Sequence, residues 1–89
     1  MINRTVTIRN QLGIHARPAG QFVRIASQYK EFVYIGKNGK EVNGKSIMGV
    51  LMLAAGYGTE LNLRVEGEDE EAAMAALVDL VENKKFDEE

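Results

Sequence analysis

Residues 32–43 read FVYIGKNGKEVN, with Asn38-Gly39 at the centre. Both turn positions of that pair favour positive φ, so the stretch reads as a β-hairpin with strands at Phe32–Ile35 and Lys40–Val42. Outward on either side the period changes. Residues 14–30, IHARPAGQFVRIASQYK, place Ala19, Phe22, Val23 and Ala26 at i, i+3, i+4 and i+7, one apolar helical face. Pro18 belongs in the first helical turn, so the helix begins at about Ala16 or Arg17 and ends near Ser27–Tyr29. Residues 44–56, GKSIMGVLMLAAG, open on a serine suited to capping a second, short helix. Met48, Leu51, Met52 and Ala55 form its expected inward stripe, and Gly56 is expected to close it. Beyond these helices lie two alternating segments. INRTVTI at 2–8 puts Ile2, Arg4, Val6 and Ile8 on one side. TELNLRVEG at 59–67 puts Leu61, Leu63 and Val65 on one side. The last segment, EDEEAAMAALVDLVENKKF at 68–86, reads as an amphipathic helix with Ala73, Leu77, Leu80 and Val81 inward. Its acids stand in the first turn and Lys84 and Lys85 in the last, both favourable to the helix dipole. The order is β-α-β-β-α-β-α. One apolar face per element predicts an antiparallel or mixed sheet covered on one side by helices.

Eighty-nine residues, 45% hydrophobic and 27% charged, suit one globular domain spanning 1–89. With no cysteine, disulfides, thiolate metal sites and cysteine nucleophiles are excluded. No segment has the order of a signal peptide, and no apolar run approaches the roughly 20 residues of a membrane helix. The expectation is a soluble, cytoplasmic protein without membrane insertion. The net charge of −2 hides a division. Residues 1–59 hold eight basic residues against two acidic ones, while residues 60–89 hold three against eleven. The acidic end reads either as a solvated last helix or as the counterpart of a basic face aimed at an acidic partner or a phosphate.

The chain has one histidine and one proline, three positions apart in GIHARP at 13–18. Since Pro18 limits where the helix starts, His15 lies at its mouth. Backbone N–H groups there, those of Ala16 and Arg17, have no intrahelical partner and suit an anion. A neutral imidazole has a lone pair and can act as a nucleophile, and the Arg17 guanidinium offers a fork of donors to phosphate oxygens. Residue types alone leave open a second reading, an exposed capping or packing histidine. One histidine cannot supply a metal's ligand set, so no metal and no cofactor is expected. Ser46 needs no function beyond its cap, yet a phosphate on it would also sit at a helix N-terminus. Ile47, with part of Met48 and Leu51, is left over from the inward stripe and would make a small exposed apolar docking patch beside Ser46.

These two segments carry a resemblance to a known family. GIHARPAG and VNGKSIMGVLML, at their spacing and in this element order, resemble HPr, the histidine-containing phosphocarrier family of the bacterial sugar phosphotransferase system. The resemblance covers nearly the whole chain. It implies an α+β open-faced β-sandwich, a four-stranded antiparallel sheet with three helices on one face. It implies a carrier, not an enzyme, that takes a phosphoryl group from enzyme I onto Nδ1 of His15 and hands it to enzyme II A domains. It gives Arg17 the part of phosphate stabiliser, Ser46 that of a regulatory phosphorylation site, and Arg24, Ser27, Ile47, Met48 and Leu51 that of docking residues. HPr kinase/phosphorylase and a transcriptional regulator enter as further partners of a monomer. Two other readings of the residues compete: a purely regulatory module using Ser46, and a small nucleic-acid-binding domain. Low aromatic content and the acidic last helix argue against the second.

Overall fold

The computed structural model describes residues 1–88, with side chains through residue 87. The elements follow as β1 (Ile2–Thr7), α1 (Ala16–Ser27), β2 (Phe32–Lys37), β3 (Lys40–Asn43), α2 (Ile47–Met52), β4 (Glu60–Glu66) and α3 (Glu70–Val78). The sheet order is β1-β4-β2-β3, antiparallel at every pairing. The hairpin at 32–43 therefore occupies one side of the sheet, and β4 inserts between β1 and β2. Both crossovers, β1-α1-β2 and β3-α2-β4, step over a strand that belongs to the other, so the two halves interlock. Asn38 (φ 51) and Gly39 (φ 82) take the positive-φ turn expected of them.

One face of the sheet is covered. Val6, Ile8, Val33, Ile35, Leu61, Leu63 and Val65 point into a core closed by Ala19, Phe22 and Ala26 of α1, Val50 of α2, and Ala73, Met74 and Leu77 of α3. The other face is open, and there Arg64 lies 4.0 Å from the centre of the Tyr34 ring. Arg64 donates to both carboxylate oxygens of Glu41, at 3.0 and 2.7 Å, and also pairs with Glu66. The Arg64 guanidinium holds the Glu41 carboxyl below the usual carboxylate range. A buried carboxylate, Glu31, accepts a hydrogen bond from Asp69 N at 3.0 Å and ties the start of β2 to the start of α3.

Three expectations are corrected. First, Gly56 does not close α2. The helix ends with tightened bonds, Leu53 N to Val50 O and Ala54 N to Leu51 O, and Ala54 takes the left-handed conformation (φ 51). Second, the inward stripe of α2 is not Met48–Leu51–Met52–Ala55. Val50 and Leu53 point inward with Ala55, Leu51 is half-buried, and Met48 and Met52 stand in solvent. Gly49 faces the hairpin, where a Cβ would lie 3.4 Å, ordinary contact distance, from both Asn43 O and Val42 Cβ. Third, the last helix does not continue through Phe86. It widens to π pitch over Asp79–Asn83, where Glu82 accepts a hydrogen bond from Thr7 N at 2.8 Å. Lys85, Phe86 and Asp87 then turn left-handed, which drives the Phe86 ring into the core. Lys85 thus lies past the helix whose last turn it was expected to occupy.

Two outcomes follow from this packing. Phe86→Ala removes a fully buried ring and is expected to cost about 3–5 kcal/mol in denaturant unfolding, whereas a frayed C-terminal turn would give almost no change. Because Glu41 titrates lower in the folded state, the stability it adds is present above the ordinary carboxylate range and disappears as pH falls through its folded value. Melting temperature followed between about pH 5 and pH 2 should fall less steeply for Glu41→Gln than for the parent.

Candidate functional site

His15 is the N-cap residue of α1, extended at φ −107 and ψ −164. Its side chain makes no capping hydrogen bond, so the imidazole is not consumed in starting the helix. The helical ladder begins at Ala19 N, which donates to His15 O at 3.0 Å. Ala16 and Arg17 precede that bond, and Pro18 has no N–H. The backbone N–H groups of Ala16 and Arg17 therefore stand ahead of the first bond of the ladder, beside the ring. His15 is half-buried, and its Nε2 is shielded from water with no hydrogen-bond partner among the described residues. Arg17 is exposed one position beyond Ala16.

The loop before His15 is fixed by a second loop. Ile14 N donates to Ala55 O at 2.8 Å, and Asn10 Nδ2 donates to Gly13 O at 2.8 Å. Gly13 is left-handed at φ 71. A Cβ on it would lie 2.5 Å from Ala55 O and 2.7 Å from Gly56 Cα, so only glycine permits this approach. Ile8 N to Thr59 O and Gly58 N to Ile8 O close the same junction from the other side.

Ser46 caps α2 as its residue type predicts: its Oγ accepts from Gly49 N at 3.1 Å. Next to it, Lys45 Nζ donates to Tyr29 O at 2.7 Å, just past the end of α1. The start of α2 is thereby tied to the end of α1, while the end of α2 is tied to the loop that starts α1. The two helices lie side by side and antiparallel. His15 stands at the start of α1 and Ser46 at the start of α2.

Between those ends stand the residues named for docking. Arg24 and Ser27 are exposed toward the end of α1. Ile47 and Met48 are exposed at the start of α2, and Leu51 is half-buried. Met52, one turn beyond Met48 and 62% exposed, extends this apolar band toward the His15 end. Assigning Met52 to the core hid it. Val50 and Leu53, an i, i+3 pair of core-forming side chains, were the signal for the correct rotation. Leu12 and Tyr57 are also exposed, one on each of the two loops that meet at Gly13. Among the described residues no group of three or more His, Cys, Asp or Glu is placed to hold a metal ion, and no helix is long and apolar enough to cross a membrane.

Comparison with known proteins agrees with this geometry along almost the whole chain. The family described as "PTS HPr component phosphorylation site" matches residues 2–83. The phosphocarrier protein HPr of Pseudomonas aeruginosa is 54% identical over 84 residues, covering 93% of this chain and 92% of its own. That of Neisseria meningitidis is 49% identical over 81 residues, covering 91% of each. A crystal structure of HPr from Thermoanaerobacter tengcongensis superposes with a TM-score of 0.94 at 46% identity, covering 100% of this chain and 99% of the other. With family, sequence and fold in agreement over almost its whole length, the chain belongs to the HPr family of phosphocarrier proteins of the phosphotransferase system.

Proposed function

We propose that this phosphocarrier works through His15, which accepts a phosphoryl group from phospho-enzyme I at Nδ1 and passes it to enzyme II A domains. The observation that carries this reading is the N-cap position of His15 with a side chain that takes no part in the cap. The imidazole is not spent on capping the helix, so its chemistry is left for a ligand. Shielding of Nε2 supports Nδ1 as the nitrogen a donor reaches. The lone pair of Nδ1 forms the bond to phosphorus while the donor keeps the electron pair of the bond that breaks. The N–H groups of Ala16 and Arg17 and the Arg17 guanidinium then stabilise the phosphoryl oxygens. A surface site of this kind accepts phosphate without trapping it, as a relay requires. Positioning and electrostatics account for most of what phosphoryl transfer needs, and the partner supplies part of both.

In the same reading the band formed by Arg24, Ser27, Ile47, Met48 and Leu51, lengthened by Met52, is where partners dock. Its apolar centre and flanking Arg24 suit a partner surface that is apolar within an acidic rim. Ser46 borders this band and is the regulatory site, the substrate of HPr kinase/phosphorylase. A phosphate there introduces negative charge at the edge of a surface that meets acidic partners, and so weakens docking without touching His15. The chain acts as a single domain and a monomer in the cytoplasm, with a transcriptional regulator as a further partner of the form phosphorylated at Ser46.

Incubation with enzyme I and phosphoenolpyruvate is expected to place one acid-labile, base-stable phosphate on the chain. His15→Ala should abolish it, and Arg17→Ala should slow its transfer by on the order of tenfold or more. An acid-labile phosphate retained by His15→Ala would defeat the assignment. Ser46→Asp should raise the KM for the chain as substrate of enzyme I with little change in kcat. Ser46→Ala should instead lower stability by about 1 kcal/mol through loss of the cap, with KM unchanged.

A further inference from the structure

Lys37, the last residue of β2, reaches across to the end of α2. Its Nζ donates to Leu53 O at 3.0 Å and to Ala54 O at 3.2 Å. Those two carbonyls belong to the two peptide groups that flank the Ala54 Cα. Ala54 is a non-glycine residue at φ 51, a conformation that L residues with a Cβ seldom adopt unless their surroundings hold them in it. One ammonium thus grips both sides of the strained residue. The next carbonyl along the chain, Ala55 O, accepts the hydrogen bond of Ile14 N, and Gly13 packs against the same atom. His15 follows immediately.

We propose that Lys37 is a positioning residue for His15, acting through Ala54 and Ala55 on the loop that sets the helix mouth. The linkage is continuous and short: Lys37 Nζ to the Leu53 and Ala54 carbonyls, Ala55 O to Ile14 N, Ile14 to His15. Lys37 touches neither the imidazole nor an incoming phosphoryl group. It keeps the Ala54 turn in the one conformation that presents Ala55 O to the loop. When the grip is released, Ala54 relaxes toward negative φ, Ala55 O leaves Ile14 N, and the ring loses its fixed orientation. The proposal rests on the reading of His15 as the phosphoryl acceptor.

The test compares Lys37→Met, Lys37→Arg and the double variant K37M/A54G with the parent chain. Amide hydrogen exchange is read at Ile14, with Ala19 inside α1 as the internal reference, and phosphorylation by enzyme I is read as kcat and KM. In Lys37→Met, exchange at Ile14 should quicken by on the order of tenfold while Ala19 is unchanged. The kcat should fall by on the order of tenfold with KM little altered, because the docking band is not involved. Lys37→Arg, which keeps a charged donor, should restore both readouts. K37M/A54G should also recover Ile14 protection, since glycine adopts the left-handed turn without a grip. Should Lys37→Met not fold, Lys37→Gln takes its place.

Unchanged exchange at Ile14 would overturn the proposal. So would an equal rise at every amide, or faster exchange at Ile14 with unaltered kcat. If the parent chain takes no phosphate at His15, the carrier reading fails, while the exchange measurements still decide whether Lys37 holds the loop.

Discussion

Two loops remote in sequence meet backbone to backbone where Gly13 lies against Ala55 and Gly56. A side chain at position 13 has no room, and the Ile14 N–H finds its acceptor only in that approach. This contact sets the direction in which the chain enters α1, and that direction places the His15 ring at the helix mouth. Pro18 completes the arrangement by removing one donor and limiting how far the helix extends toward the loop. The site is thus built from backbone geometry. The His15 side chain takes no part in capping the helix it precedes.

The same antiparallel pairing of α1 and α2 separates the two positions suited to phosphate. His15 stands where α1 begins and α2 ends, and Ser46 where α2 begins and α1 ends. Lys45, bound to Tyr29 O, holds one end of the pair. The open face of the sheet stands apart from both positions. There Arg64 pairs with Glu41 and Glu66 over the Tyr34 ring.

Much of this was legible in the sequence, for identifiable reasons. Asn38-Gly39 has few conformational alternatives, and the period-2 strands around it have one apolar side, so the strands could be read from pattern, while the choice between an antiparallel and a mixed sheet could not. The start of α1 was legible because Pro18 restricts it, and with it the place of His15. The rotation of α2 was not legible. A six-residue helix offers too few turns for its period to choose between adjacent apolar stripes, and burial of Val50 and Leu53 in the core accompanies the rotation observed. The end of the last helix was hidden for a similar reason. Burial of Phe86 outweighs the cost of left-handed turns at Lys85 to Asp87, and no local signal reports a tertiary pocket. The role of Lys37 was invisible because its partners are backbone carbonyls distant in sequence, which no residue pattern encodes. The match of GIHARPAG and VNGKSIMGVLML to one family turned an open choice about His15 into a specific expectation.

The most direct measurement is nitrogen–phosphorus correlation NMR on the chain labelled with nitrogen-15 at histidine and charged by enzyme I and phosphoenolpyruvate. With a single histidine there is no ambiguity of assignment. The account predicts one phosphorus resonance coupled to Nδ1 of His15. Coupling to Nε2, or a phosphorus signal on the chain with no coupling to the imidazole, would contradict it.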